Sequence, residues 1–431
     1  MAEIYPFRAI RYNQAKVKDL SNVVCPPYDV IYPKDQEGYY RQAPYNVVRL
    51  ILGKEFPDDD PAHNRYARAH DFFVAWLKEG ILKQDKEPSI YIYSQRYRLN
   101  REAYERCGFV CLVRLEDFGQ KVVFPHEKTF PKPKEDRLKL IRATRANLSP
   151  IFALYQDKGR IITRLLTSYL KSEPLFDLED KDEVRHRLWA ITDMDQIDKI
   201  VSQMKRKPIF IADGHHRYET ALAFRDEMKA KTLRFSGKEP FNRMMVCLVD
   251  MDDKGLIILP THRLVGGVGK ISIRTLKKRL SSNFSIKQSS ARALFSRMRA
   301  CMDRHVFGMY HRKKYYLLTL KDEGVLDEVV DPTKPIEWKR LDVTILSSLI
   351  LESCLGIGSS DENVGYTKDR SQARALVDSG RFELAFFLNP VSPEQVKLIA
   401  FAHQLMPPKS TYFYPKLLTG LVINKFSEDI S

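Results

Sequence analysis

The sequence predicts a mixed α/β fold, and three observations carry the prediction. Short runs rich in β-branched and aromatic residues alternate with longer windows whose apolar residues recur at helical spacing. Three of the short runs end in histidine with arginine, lysine or a carboxylate beside it, and the C-terminal edge of a mixed sheet is where ligand groups gather. The composition is that of a folded chain: 44% hydrophobic, 29% charged and 11% aromatic over 431 residues, enough for a sizeable core.

Residues 1 to about 60 read as extended and turn-rich, punctuated by Pro26-Pro27-Tyr28-Asp29 and Pro57-Asp58-Asp59-Asp60-Pro61. Tyr66 to Gly80 predicts an amphipathic helix, with Ala69, Phe72, Phe73, Trp76 and Leu77 on one face and Gly80 as its stop. Ser89 to Tyr97 and Gly108 to Leu115 read as strands, and Lys158 to Ser172 as a helix. Then come the three strand-and-histidine segments. Lys121–Phe124 leads into His126-Glu127-Lys128-Thr129. Lys207–Ile211 leads into Asp213-Gly214-His215-His216-Arg217, which opens a helix to about Lys229. Leu256–Leu259 leads into Thr261-His262-Arg263. The stretch from Gly266 to about Val330 is lysine-rich and begins with a glycine-rich turn, Gly266 to Lys270. A helix is expected around Asp342 to Leu355 and a strand at Glu383 to Leu388. The segment after Met406 reads as an ordered loop carrying Lys409 and Lys416.

The expected domains are residues 1–120, an N-terminal α/β region; 121–265, the catalytic core; 266–335, an accessory subdomain; and 336–431, a C-terminal region completing the site.

Charge and cysteine usage narrow the class. Seventy-one lysines and arginines against 55 aspartates and glutamates give a net charge of +16, which attracts polyanions or phosphorylated substrates. The basic residues are spread out, without a basic tail, an arginine-rich block or a helix-turn-helix signature, so nucleic acid is a disfavoured partner. No run approaches the ~20 apolar residues of a membrane helix, and the first ten residues lack a secretory signal, so a cytoplasmic protein is expected. Six cysteines without a C-x-x-C pair read as reduced, structural thiols. The oligomeric state is not legible.

Asp213-Gly214-His215-His216-Arg217 carries the strongest chemistry. Glycine permits a tight turn and a close backbone approach, the helix start offers amides to an anion, and Arg217 adds a forked donor. Asp213 is suited to a magnesium ion or a hydroxyl. The bland alternative, a capped helix with satisfied histidines, does not account for five such residues in a row. In the His126-Glu127 segment, a carboxylate among cations is a candidate general base, and Arg137 follows it; a charged surface loop is the competing reading. Residue 130 is Phe130, so the zinc-protease pattern H-E-x-x-H fails. Thr261-His262-Arg263 gains weight by repeating the pattern. Lys409 and Lys416 are candidate phosphate ligands or parts of a packed strap. No Walker A or kinase Gly-rich loop occurs. Together these groups describe a polyphosphate site with one or two carboxylates.

Over nearly its whole length the chain resembles a bacterial and protist family long described only as a domain of unknown function. The segments that carry the resemblance are VVCPPYDVI, YNVVRLILG, PHEKT, DRLKLIRATRANLSPIF, IADGHHRYETAL, LPTHR and MPPKSTYFYPKLLTGLVI. The aspartate-glycine-histidine-histidine-arginine segment is similar to the signature of free-serine kinases of the ParB/sulfiredoxin-like superfamily. That resemblance implies a mixed-sheet ParB/sulfiredoxin-like core with N-terminal, inserted and C-terminal elaborations. It implies phosphorylation of free L-serine to O-phospho-L-serine with magnesium as cofactor, in serine metabolism leading to cysteine. Relatives of this type use inorganic pyrophosphate, while others use ADP or ATP; the lack of an adenine or ribose motif here favours pyrophosphate. By the same resemblance Gly214, His215, His216 and Arg217 hold donor phosphates, Asp213 lies near metal or the reacting hydroxyl, and Glu127 takes the proton from serine. His126 assists, and Arg137, His262, Arg263, Lys409 and Lys416 clamp phosphate or carboxylate. The alternatives are an ATP- or ADP-dependent serine kinase, a ParB-like nucleotide-gated DNA-binding protein, and a phosphatase or pyrophosphatase using water.

Overall fold

The computed structural model describes residues 2–268, 272–358 and 362–426. Its contacts divide the chain into two units that interleave in sequence. The first takes in the chain up to Pro125, Thr129–Ile257 and the chain from Pro415 onward. The second takes in His126–Lys128 and Ile258–Tyr414.

The first unit is built on a nine-stranded mixed sheet. Its order runs Val123–Phe124, Ile209–Asp213, Ile151–Tyr155, Arg243–Asp250, Glu102–Arg114, Ile90–Leu99, Arg185–Ile191 and Phe176–Glu179, with Ile4–Tyr5 also paired to Glu102–Arg114. Two of its pairings are parallel, Ile209–Asp213 with Val123–Phe124 and Arg243–Asp250 with Ile151–Tyr155. The middle strands are buried, and helices cover one of their faces. Ile92, Phe109, Cys111, Ile151, Ala153, Ile211, Val246 and Leu248 form one core with Ile197, Ile200, Tyr218 and Ala221 from helices. Gly108 is required in this layer: a Cβ there would lie 2.5 Å from the Leu248 carbonyl oxygen, so only glycine lets the two strands approach.

The predicted helix at 66–80 is observed as Arg65–Lys78, capped by Asn64, whose side chain accepts from the Tyr66 and Ala67 amides; Ala69, Phe73 and Trp76 are buried. The expected helix at 158–172 is Ile161–Tyr169, and the one after Asp213 is His215–Lys231. The first sixty residues depart from the extended reading. They contain helices Pro33–Gln42 and Val48–Ile51, the former opened by Pro33 at its first position and Asp35 in its first turn. All six cysteines are free thiols, five buried and Cys107 half-buried.

Residues from Pro415 thread back into the first unit. Thr419 bridges Cys25, Ile423 bridges Ile10, and Asn424–Lys425 pairs with Ala146–Asn147. The buried Arg106 guanidinium donates to the Pro415 carbonyl at 2.5 Å, and the Gln95 amide donates to the Lys416 carbonyl at 2.9 Å.

The second unit holds a six-stranded antiparallel sheet in the order Phe284–Ser289, Lys314–Leu320, Val306–His311, Leu384–Phe387, His262–Val265 and Val364–Thr367. Leu264, Leu294, Met298, Tyr310, Ala373 and Phe387 centre its core. Three strands of this sheet come from the lysine-rich stretch after residue 266. Gly269 and Lys270 of the predicted glycine-rich turn lie outside the described residues. The expected helix at 342–355 begins as an α-helix, Asp342–Ile345, and continues as a π-helix, Leu346–Leu355. Wide π turns are rare and frequently occur at functional sites. Among the described residues no helix is long and apolar enough to cross a membrane.

Candidate functional site

In the first unit, strand Ile209–Asp213 ends in Asp213, Gly214 turns the chain with φ +96°, and helix His215–Lys231 begins at once. A Cβ on Gly214 would meet the Arg217 guanidinium at 2.9 Å, so the turn needs glycine for its dihedral and for its space. First-turn amides carry the positive end of the helix dipole. Gly214, the capping residue, adds no side-chain cap. Gly214→Ala is expected to cost about 1–3 kcal/mol, from αL strain and the displaced guanidinium; a lowered midpoint in urea unfolding is the check.

Asp213 receives two cations. Lys416 Nζ lies 2.5 Å from its Oδ1, and Arg217 Nη2 lies 3.1 Å from its Oδ2. The second Arg217 fork donates to the Pro150 carbonyl at 2.5 Å. Burial alone would raise the Asp213 pKa, but Lys416 and Arg217, with His215 adding less, bring it down to about 2. Two cations around one carboxylate leave a net positive pocket beside a helix start, which suits a phosphate oxygen. The same balance does not suit a magnesium ion resident on Asp213, because a dication would meet Lys416 and Arg217. Among the described residues no group of three or more His, Cys, Asp or Glu is placed to hold a metal ion.

The two histidines of the turn differ. His215 is buried. His216 accepts the Phe130 amide at Nε2 (2.9 Å) and stacks on the Phe130 ring, so it holds the loop after Glu127 in place through an unprotonated Nε2. Glu219, one turn on, accepts from Thr129 Oγ1 and Lys134 Nζ, both at 2.8 Å. Arg137 is buried: its guanidinium donates to the Ile51 carbonyl at 2.7 Å, pairs with Asp136, and lies 3.9 Å over the Tyr28 ring. Arg137 and Arg217 both line a cavity of about 50 Å³, together with Asn147, Ser149 and Thr220. Tyr28 has no sequence signal of its own beyond the proline pair before it.

In the second unit, Glu127 and Met406 form a parallel bridge, with the Met406 amide donating to the His126 carbonyl at 2.7 Å. The Lys409 amide donates to Glu127 Oε1 at 2.8 Å, and Lys409 itself has φ +58°. His126, fully buried, pairs through Nε2 with Thr411 Oγ1 at 3.0 Å. The segment after Met406 is therefore the scaffold of the His126-Glu127 segment.

The strand expected before His262 is observed as Ile257–Leu259, and His262 and Arg263 then open a further strand, His262–Val265, in which both are buried. Arg263 donates to the Thr261 carbonyl and lies 4.9 Å over the Tyr366 ring. Burial lowers its pKa to about 10 against the opposing pull of Tyr366 and Glu127, so it stays charged near neutrality and faces Glu127 electrostatically. His262 accepts the Leu388 amide at Nδ1 (3.3 Å), while among the described residues its Nε2 has no hydrogen-bond partner. Burial pushes its pKa from 6.5 down to about 3, with Arg370 and Arg263 adding to the shift. The native state then refuses a proton that the unfolded chain accepts. Stability is full above pH 6.5 and falls as pH drops toward 3, by about 2 kcal/mol between pH 6.5 and 4.5. A His262→Gln variant should show a flatter urea-midpoint profile over that interval.

A family model described as a protein of unknown function, DUF1015, matches residues 4–344, and the chain belongs to that family. A search of curated proteins returned no match. Three solved structures are similar to the chain. A conserved hypothetical protein from Pyrococcus furiosus is 14% identical, covers 72% of this chain and 92% of its own, and has a TM-score of 0.34. A free serine kinase variant in complex with ADP is 12% identical, covers 70% and 87%, and has a TM-score of 0.36. C-terminally truncated SbnI from Staphylococcus aureus is 12% identical, covers 75% and 90%, and has a TM-score of 0.38.

Proposed function

We propose that this member of the DUF1015 family is a phosphotransferase that converts free L-serine to O-phospho-L-serine, with inorganic pyrophosphate as donor. The observation that carries the reading is the Asp213 turn. A glycine-shaped strand-to-helix junction holds Lys416 and Arg217 around one carboxylate, leaving excess positive charge beside a helix start. Phosphoryl transfer asks mainly for positioning and charge neutralisation, which such a turn supplies. The resemblance of the aspartate-glycine-histidine-histidine-arginine segment to free-serine kinases supports the acceptor.

The roles follow from chemistry. Gly214, His215 and Arg217, with Lys416, are assigned the donor phosphates, and His216 positions the loop beyond Thr129. Glu127 is assigned the serine proton, with the Arg263 charge in its field. A bond forms between serine Oγ and the transferred phosphorus, the bridging P–O bond breaks, the proton passes to Glu127 and inorganic phosphate leaves. Magnesium would travel with pyrophosphate as part of the substrate and screen its charge. Arg137, His126 and His262 hold the surrounding structure, and Lys409 anchors Glu127 through its amide.

The test is a phosphorus NMR time course with protein, magnesium and L-serine, and pyrophosphate, ADP or ATP in parallel. An O-phosphoserine resonance with pyrophosphate is the expected result. The resonance with ADP or ATP alone would reassign the donor. Phosphate released without serine would mean hydrolysis, and silence in all three from folded protein would overturn the kinase reading.

A further inference from the structure

The cavity beside Arg137 and Arg217 in the first unit has no part in the assignments above. Its volume is about 50 Å³. At about 10–15 Å³ for each water-sized group, that is room for roughly four of them. Its only charged lining residues are the two arginines. Neither is a surface cation, since 7% of the Arg137 side chain and 11% of the Arg217 side chain are exposed. Tyr28, Asn147, Ser149 and Thr220 are its neutral polar residues, and the rest of the wall is apolar.

The hydrogen-bonding capacity left on this wall is that of donors. Asn147 Oδ1 already accepts from the Met245 amide and from Asn424 Nδ2, both at 3.1 Å, so its own Nδ2 hydrogens are what it can offer. The Ser149 and Thr419 hydroxyls bond each other at 3.1 Å, and Thr220 donates to the Lys134 carbonyl at 3.4 Å. Among the described residues no hydrogen bond ends on the Tyr28 hydroxyl. Burial pushes that hydroxyl up to about 12 against the pull of Arg137 and Arg217. Near neutrality it is therefore a protonated donor in the field of both guanidinium groups. Donors short of acceptors suit an oxyanion.

Charge selects which oxyanion. Arg137 shares Asp136 with Arg65, and Arg65 also pairs with Glu55, so these four groups cancel. Arg217 and Lys416 share Asp213, which leaves one positive charge. A single surplus charge with neutral donors matches a monoanion, whereas a phosphate dianion would leave a negative charge uncompensated. The volume agrees with a carboxylate and the carbon that bears it, the rest of the molecule lying outside.

We propose that this cavity binds the carboxylate of the amino-acid acceptor, with Arg217, the Tyr28 hydroxyl and the Asn147 amide as its ligands and Arg137 as a fixed wall beside Tyr28. The proposal rests on the serine-kinase reading and names the subsite that distinguishes an amino acid from an amino alcohol. Arg217, already on Asp213 at the phosphate turn, then links the acceptor carboxylate to the donor site.

The experiment compares wild type with Tyr28→Phe. It reads KM for L-serine and for pyrophosphate, inhibition by L-alanine, which lacks the hydroxyl, calorimetric binding of L-serine without donor, and Tm. Ethanolamine, which lacks the carboxylate, is offered to wild type as an alternative acceptor and should be used about 100-fold less well than L-serine. Tyr28→Phe should weaken L-serine binding, and raise the serine KM and the alanine inhibition constant together, about tenfold. The pyrophosphate KM should stay within about twofold and Tm should not move. Unchanged serine and alanine constants in the variant would overturn the subsite and leave the kinase reading standing. A shift confined to the pyrophosphate KM would also overturn it, by giving the cavity to the donor, as would ethanolamine used as well as L-serine. A fall in Tm with both KM values rising together would overturn it by reducing Tyr28 to packing. Absence of phosphoserine, with no heat from L-serine or L-alanine in wild type, would overturn the kinase reading and the subsite with it.

Discussion

Glu127→Gln should lower turnover about 10²–10⁴-fold while leaving the fold and Tm in place. The amide retains a carbonyl oxygen where Glu127 Oε1 accepts the Lys409 amide at 2.8 Å, so the strap around residue 409 keeps its anchor. Only the capacity to take a proton is removed. Glu127→Ala removes the base and the anchor together and should lose thermal stability as well. The pair of variants separates chemistry from scaffolding in one set of melts and rate assays. Near-normal turnover in Glu127→Gln would exclude it as the base.

Asp213→Asn carries the largest expected cost in stability. Lys416 and Arg217 have only 13% and 11% of their side chains exposed, and the aspartate is their shared counter-charge. Removing it leaves two adjacent cations short of solvent, which should cost about 3 kcal/mol. Turnover should fall about 10²-fold as the two cations, the phosphate ligands of the proposed reaction, separate and lose their spacing. The wild-type pairing has its own acid signature. A carboxylate lowered from 3.8 to about 2 stabilises the native state fully above pH 3.8, and that contribution disappears as pH falls toward 2. Urea midpoints of wild type and Asp213→Asn should therefore converge in that interval and stay apart above pH 4.

Local pattern reaches a good part of this fold. The helix at Arg65–Lys78 and the strands Ile90–Leu99, Ile209–Asp213 and Leu384–Phe387 all lie where apolar periodicity places them, within a few residues. Pro33–Gln42 escapes because its helix is almost wholly polar, with only Tyr39 buried, so periodicity has little to register. His262 and Arg263 escape for the opposite reason. Polar side chains after a proline look like loop, and only the aromatic cover from Phe387 and Tyr366 makes their burial tolerable. The composition of the site was visible as residue types, but its pairings were not. Lys416 meets Asp213 across 203 positions and Lys409 meets Glu127 across 282, distances over which no local pattern operates. The π-helix Leu346–Leu355 is likewise a property of the backbone path.

The return of residues after Pro415 into the first unit has a consequence for biosynthesis. A ribosome adding about 5–20 residues per second needs roughly 10–40 s to travel from Asp213 to Lys416. For that interval the nascent chain carries Asp213 without its lysine, and Gln95 and Arg106 without the carbonyls that satisfy them. The first unit therefore finishes folding only after the second has been synthesised, although most of its residues come earlier in the chain. A message truncated anywhere before codon 416 yields a product whose Asp213 lacks the Lys416 counter-charge, so the completion of this turn reports that translation has gone far enough.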